Sequence, residues 1–504
     1  LIVPLLLAVD RNCASEERRE RSNRPAQNMK RLNFMTQNAC DIVFIANPLG
    51  WDERSRMDIK PALNLLYLAS YINSKGLSAK IVDAGTGNMS LQEAAEKALD
   101  AKPRFVGAAF YQGSMDAVLK FCAEMKKLSP EIKIIGGGPL MTALSEKVIS
   151  YPQIDIGVIG EGEETLYRLL TGAPGDYGAI DGIAFKTDGS IKVNPKTSFI
   201  ENLDSLPFLD YSLIDMQPYF DLQKKLDVPR SIFMTTSRGC AFRCTYCASP
   251  FLWPGRVRRH SVDRIIDEIM YHRSKFRKIN IGFLDDSFFA DKKWISEFLD
   301  KIPGTGLSYS CIGRADHINE ETIGRLAETG CNFVSIGVET GSENKQKELK
   351  KFLSLGTVMK TVRLFHRHNI YCRCFFMIGF PGETFSEMAE TINFAVELKK
   401  NGMRDCTFFV TNLYAGTEMS KNFEEELWKT MIYQSGENTA GETPKVHTAK
   451  DFGEEKFIRY SSVPAVNINQ YLTNVQLVEL VKIAYGKIND GQHISEAEIE
   501  ALKR

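Results

Sequence analysis

At 504 residues the chain is too long for one ordinary core, so two or three domains are expected. Its 63 basic and 63 acidic residues cancel, which leaves no field to gather nucleic acid or an anionic bilayer. Hydrophobic residues make up 43%, ordinary for a globular protein, and the 11 cysteines form no paired framework, which points to a reducing, cytoplasmic setting.

Residues 1–9 form an apolar run, well short of the ~20 positions that a membrane-spanning helix needs. The Arg-, Glu- and Asn-rich stretch that follows has no helical or strand period. Residues 1–38 therefore read as a disordered or mis-started leader, with Met29 or Met35 as alternative starts and a signal peptide as the second reading. No other segment is long and apolar enough to span a membrane.

From Asp41 short β-branched runs alternate with amphipathic helices over residues 39–172. Strands are expected at 42–45, 80–82, 105–109, 132–135 and 156–159, and Leu65, Leu68, Ala69 and Ile72 share one helical face. Such alternation implies a parallel, Rossmann-like sheet whose ligands lie at the carboxyl ends of its strands. Two of those ends carry Gly136-Gly137-Gly138-Pro139 and Gly160-Glu161-Gly162-Glu163. Tight turning alone would explain the glycines, and the G-x-G-x-x-G dinucleotide spacing is absent after the first strand.

Residues 173–230 read as a proline-punctuated connection holding a β-hairpin around Asp188-Gly189. Beyond it strands are expected at 231–235, 279–284, 307–311, 333–338, 373–378 and 407–410, with helices between them, for example over 262–272 and 357–368. Six β/α repeats over 231–414 predict an incomplete (β/α)6 TIM-like barrel with functional groups at the carboxyl ends of its strands. Residues 415–504 carry a weaker pattern, with a helix expected over 477–485 and a loop over 436–445.

The most specific motif follows the first barrel strand. Cys240, Cys244 and Cys247 stand in C-x3-C-x2-C spacing, which brings three thiolates onto one loop. Three thiolates hold three irons of a cubane and leave the fourth open to a ligand that is not protein. The rival is a zinc site completed by His260, although structural zinc sites usually use two close-spaced pairs. Later strand ends carry Asp285-Asp286, Gly313-Arg314, Glu339 and Gly379-Phe380-Pro381-Gly382-Glu383. Asp285 and Asp286 could accept from an ammonium group or simply cap a helix. Glu383 reads as a turn or cap residue, and Arg256-Val257-Arg258-Arg259-His260 either as an anion contact or as a solvated basic loop. Cys311, Cys331, Cys372 and Cys374 read as core residues.

The cysteine loop, with Tyr246 just before its third cysteine, resembles that of the radical SAM enzymes. The glycine turns and Pro61-x-x-Asn64-Leu65-Leu66-Tyr67-Leu68-Ala69 resemble the domain of the subgroup that carries a cobalamin-binding domain ahead of the barrel. The resemblance implies a [4Fe-4S] cluster on the three cysteines and S-adenosylmethionine held by Tyr246, Asp285, Asp286, Arg314, Glu339 and Gly379. It also implies cobalamin beside Gly113, Ser114, Gly136, Gly137, Gly138, Gly160 and Glu161. No histidine precedes His260, so the amino-terminal domain offers cobalt no imidazole. The implied reaction is reductive cleavage of S-adenosylmethionine and attack on an unactivated carbon of a small molecule, with an electron donor such as flavodoxin or ferredoxin. Methylation is the first expectation. Cyclisation, rearrangement or oxidation without methylation is the second, and a zinc-stabilised binding module the third.

Overall fold

The computed structural model describes residues 40–48, 60–173, 175–187, 189–303, 305–434, 466 and 468–503. The leader with Met29 and Met35, and the loop expected over 436–445, lie outside them.

The first sheet has seven strands: β1 (Ile42–Ala46), β2 (Ala79–Asp83), β3 (Phe105–Ala109), β4 (Lys133–Gly137), β5 (Ile156–Val158), β6 (Ile183–Thr187) and β7 (Ser190–Asn194), in the order β2-β1-β3-β4-β5-β6-β7. Every residue of β1 is buried, because helices cover both faces. Ile42 and Phe44 pack with Leu65, Ala69 and Leu166 on one side, while Val43 and Ile45 pack with Ala94, Ala98 and Val118 on the other. Each such side chain contributes about 1.5–3 kcal/mol by burial. Local signals agree with this packing. Ser90 and Glu93 form a reciprocal capping box at the start of helix Leu91–Asp100.

The expected hairpin is present as β6 and β7, but it belongs to this sheet. Antiparallel pairing of Ile156 with Phe185 extends the sheet to Asn194, past the boundary read from sequence. The rest of the connection packs on the barrel through Leu209, Tyr211, Tyr219 and Phe220.

The second sheet holds six parallel strands: β8 (Ser231–Met234), then, beyond the short antiparallel pair β9 (Ser237–Arg238) and β10 (Arg258–Arg259), β11 (Asn280–Phe283), β12 (Ser308–Gly313), β13 (Cys331–Glu339), β14 (Tyr371–Ile378) and β15 (Asp405–Val410). Their order is β15-β14-β13-β12-β11-β8, so the edges do not meet and the barrel is incomplete, as expected. Helices Val262–Lys275 and Leu355–Arg367 are started by Ser261 and Ser354, whose hydroxyls accept from Arg264 and Thr357 N–H groups. Cys311, Cys331, Cys372 and Cys374 are buried in the barrel core.

Helix Asn474–Asp490 covers the expected carboxyl-terminal helix and buries Leu477, Leu480, Val481 and Ala484 in the barrel core. The Tyr485 hydroxyl accepts the Phe408 N–H at 3.1 Å, which satisfies a donor on the edge strand β15. After β15 the chain crosses back to the first domain, where Leu413, Ala415 and Leu427 join the core that contains Phe121 and Cys122.

Candidate active site

The two sheets present their carboxyl ends to each other, and polar ties join those ends. Glu161, after β5, accepts from Arg258 at 2.9 and 3.0 Å, from Arg238, and from the Ile200 N–H at 2.7 Å. Glu163 takes the other branch of Arg238 at 2.6 Å. Tyr67 accepts the Thr235 N–H at 3.1 Å. Gln112, after β3, donates to the Leu413 carbonyl at 2.7 Å and accepts the Ala415 N–H at 3.3 Å.

Glu161 is therefore engaged by protein. Burial opposes its charge, but Arg238 and Arg258 hold its carboxyl below the ordinary range. Burial also works against the Arg238 guanidinium, and Glu163 and Glu161 outweigh it and raise its pKa. The basic segment after Gly255 is accordingly an anion contact at Arg258, one of its two sequence readings, while Val257 stays exposed. Arg258 is buried against Glu161, Arg259 lies over the Trp294 ring, and His260 meets Asp204 at 3.1 Å. Burial pushes His260 down to about 4.

The cysteine loop leaves β9 and is bracketed at both ends by one carboxylate oxygen. Asp286 Oδ2 accepts from the Gly239 N–H at 3.2 Å, just before Cys240, and from the Ser249 hydroxyl at 2.9 Å, just after Cys247. Asp286 Oδ1 makes no hydrogen bond among the described residues. Asp285 is fully engaged: it accepts from the Thr236 N–H and hydroxyl and from the Ser237 hydroxyl. Burial pushes both carboxyls up. Gly239 is required by space, since at its φ of +98° a Cβ would lie 1.9 Å from the Arg256 carbonyl oxygen.

Cys240, Cys244 and Cys247 are free thiols that feel one another electrostatically. Burial pushes Cys247 up to about 12 and Cys240 upward as well, so metal binding must displace their protons. Among the described residues, no three Cys, His, Asp or Glu side chains converge on a point fit for one ion. His260 is turned to Asp204, which removes the fourth ligand of the zinc reading. Three thiols on one loop with no fourth protein ligand fit a cubane with an open corner.

The remaining candidates surround this loop. Arg314 lies 3.7 Å over the Phe242 ring, pairs with Asp316 at 2.8 Å and donates to the Lys351 carbonyl. Glu339 ends β13 at φ +70°, where the ladder shifts register, and its carboxylate accepts from Lys351 at 2.9 Å. A non-glycine residue in that conformation is strained by about 1–3 kcal/mol, and such strain gathers at functional sites. Gly379 has φ +87° and donates its N–H to Glu383, which also accepts from Phe380. Glu383 thus closes the turn, as expected, but its Oε1 is buried with no partner among the described residues, and burial pushes the carboxyl up to about 8.

Two cavities lie between the domains. The first, about 350 Å³, opens over the glycine turns and is lined by Gly137, Gly138, Gly160, Glu161, Arg238 and Asp286, among others. A Cβ on Gly137 would meet only one atom within 4 Å, the Val158 carbonyl oxygen at 3.9 Å, so the missing side chain leaves room there. This slot, walled by small residues, fits the tail of a large cofactor. Gly136 is different: its missing Cβ makes space for Met141 and Phe110 in the core. The second cavity, about 670 Å³, is lined by Gly113, Tyr246, Cys247, Glu339, Phe375 and Phe409, among others. Ser114 lines neither cavity. Tyr111 and Pro139 line both, so the cavities share a wall.

Sequence reasoning missed Arg238, Gln112 and Lys351, whereas Arg258 lies in the segment read as a possible anion contact and does meet a carboxylate. The Gly160-Glu161-Gly162-Glu163 run held a signal, since two acids beside glycines at a strand end call for cationic partners, but nothing pointed to Arg238 as one of them.

Residues 234–395 match the Radical SAM superfamily model, and residues 57–170 match that of the B12 binding domain. An uncharacterized methyltransferase of Pyrococcus horikoshii is 29% identical over 364 residues, 71% of this chain and 77% of the relative. The cytidylyl-2-hydroxyethylphosphonate methyltransferase of Streptomyces wedmorensis is 24% identical, covering 68% and 73%. An anaerobic magnesium-protoporphyrin IX monomethyl ester cyclase of Rubrivivax gelatinosus is 25% identical, covering 66% and 62%. In fold, the chain is similar to the radical S-adenosylmethionine methyltransferase TsrM of Kitasatospora setae with cobalamin and a [4Fe-4S] cluster bound. The TM-score is 0.64 at 16% identity, over 77% of this chain and 75% of that one.

Proposed function

The chain belongs to the radical SAM enzymes that carry a B12-binding domain, with a [4Fe-4S] cluster, S-adenosylmethionine and cobalamin as cofactors, and from that premise we propose that it methylates an unactivated carbon of a small molecule. The observation that carries this reading is the shared wall. The cavity beside the cysteine loop abuts the cavity over the glycine turns at Tyr111 and Pro139. A substrate between them touches both halves of the machinery.

When bound, the cluster with S-adenosylmethionine supplies a radical that removes hydrogen, and cobalamin supplies a transferable methyl group. The protein supplies orientation and exclusion of water. Cys240, Cys244 and Cys247 would hold the cluster, on a loop pinned by Asp286. Asp286 Oδ1, Arg314 and Glu339 would meet the polar groups of S-adenosylmethionine, with Tyr246 and the Gly379 turn beside it. Asp285 positions the loop from below. Gly137 would let cobalamin approach the backbone, with Gly138 and Gly160 on the same wall, while Glu161 fixes the barrel over it.

The 25% identity to a cyclase supports a second outcome at the same site, ring closure without methyl transfer. The test is anaerobic purification with hydroxocobalamin, then counts of iron, sulfide and cobalt and incubation with S-adenosylmethionine labelled in its methyl group. Cubane-level iron, about one cobalt per chain and label in an organic product are expected. Cobalt-free protein that still releases 5′-deoxyadenosine would refute methyl transfer while leaving the radical enzyme intact.

A further inference from the structure

The second cavity has a chemical bias that its shape alone does not convey. Among its described lining residues there is no Lys, Arg or His. Two ionisable groups besides tyrosine reach it, Cys247 and Glu339, and the Glu339 carboxylate is already paired with Lys351 at 2.9 Å. The far wall follows from strand alternation. Cys372, Cys374, Phe376 and Ile378 of β14 turn into the helix-covered core, so Phe375 and Met377 face the interior, joined there by Phe409 from β15. Phe375 and Phe409 stand 5.9 Å apart, tilted by 53°. Asn412, beyond the end of β15, lines the same wall, and its amide makes no hydrogen bond among the described residues.

Resting on the reading that substrate meets the cofactors here, we propose that the substrate segment taken by this cavity is uncharged and apolar, with a flat face against Phe375 and Phe409 and one polar group read by the Asn412 amide. A phosphate or carboxylate would be desolvated with no cation opposite it. An ammonium would have to compete for Glu339 with Lys351 and with S-adenosylmethionine. Aromatic walls with one convergent amide instead suit a planar ring or conjugated chain bearing a single hydroxyl or carbonyl. The S. wedmorensis relative, whose name gives it a cytidylyl phosphonate, would then differ from this chain in substrate charge.

A matched pair of fluorescent probes tests this: 1-pyrenebutanol and 1-pyrenebutyrate, which share the ring and differ in charge. Each is titrated into the anaerobically purified, cofactor-loaded protein with S-adenosylmethionine present, and binding is followed by pyrene emission. The neutral probe is expected to bind at least ten-fold tighter than the anion. Phe409→Lys and Asn412→Lys, each adding a cation to the wall, are expected to raise pyrenebutyrate affinity at least ten-fold. The second variant keeps the test decisive if the first does not fold. Equal or tighter binding of the anion by the unmodified protein overturns the proposal, as does indifference of both probes to both substitutions. Iron and cobalt counts on the same samples separate this failure from failure of the cofactor assignment.

Discussion

Glu383→Gln tests whether a fully buried acid in the Gly379–Glu383 turn is neutral in the folded protein. Glu383 is 0% exposed, accepts two backbone N–H groups on Oε2, and leaves Oε1 with no partner among the described residues. Burial lifts its pKa from 4.5 to about 8. With the folded value raised, its stability contribution is complete below pH 4.5 and is lost as pH climbs through 8. Each pH unit between those values costs about 1.4 kcal/mol, and the whole span at most about 5 kcal/mol. Glutamine keeps an acceptor for Gly379 and Phe380 but never ionises. Its NH2 must still be buried, which costs about 1–3 kcal/mol at every pH. Thermal melts of both proteins at pH 5.5 and 8.5 should therefore show the wild type equal or better at the lower pH and the variant gaining steadily on it as pH rises. Cofactor effects common to both proteins cancel in the difference. A difference that does not change with pH would refute the reasoning, because Glu383 would then be ionised in the fold throughout.

Glu161→Ala leaves Arg238 and Arg258 buried without their shared acceptor, and a loss of about 3–5 kcal/mol is expected in denaturant melts, together with lower cobalt retention. Gly138→Ala places a Cβ 2.9 Å from the Phe110 carbonyl oxygen at φ +91°, so it should cost about 2 kcal/mol or more and empty the first cavity of cobalamin, read by melts and the corrin absorption band. Asp286→Ala removes the acceptor that brackets the cysteine loop, and iron per chain after gel filtration should fall while the far-ultraviolet circular dichroism is kept.

Elements were legible where their signals are local. The six barrel strands and the five parallel strands ahead of them follow from period, which acts over a few residues, and the helices between them do so as well. The hairpin was legible as a hairpin but not as part of the first sheet, because edge pairing of β5 with β6 depends on where the chain returns. The site divides in the same way. The spacing of Cys240, Cys244 and Cys247 is local and specific, whereas the tie from Glu161 to Arg238 spans 77 positions and has no periodic trace. The basic segment around Arg258 stayed open between an anion contact and a solvated loop for that reason, since its acid lies 97 positions away. Asp285 and Asp286 show a further limit: the residue type announced an acceptor, but Thr236, Ser237, Gly239 and Ser249 are among its donors.

The fastenings at Gln112 and Glu161 bear on how the enzyme is fed. Each cavity carries one of these fastenings in its own wall, so opening either means breaking buried polar contacts between the domains. Tyr111 and Tyr414, lining the second cavity yet 44% and 48% exposed, stand between it and solvent. Ring rotation at these two positions is a local side-chain motion, faster than any movement of whole domains.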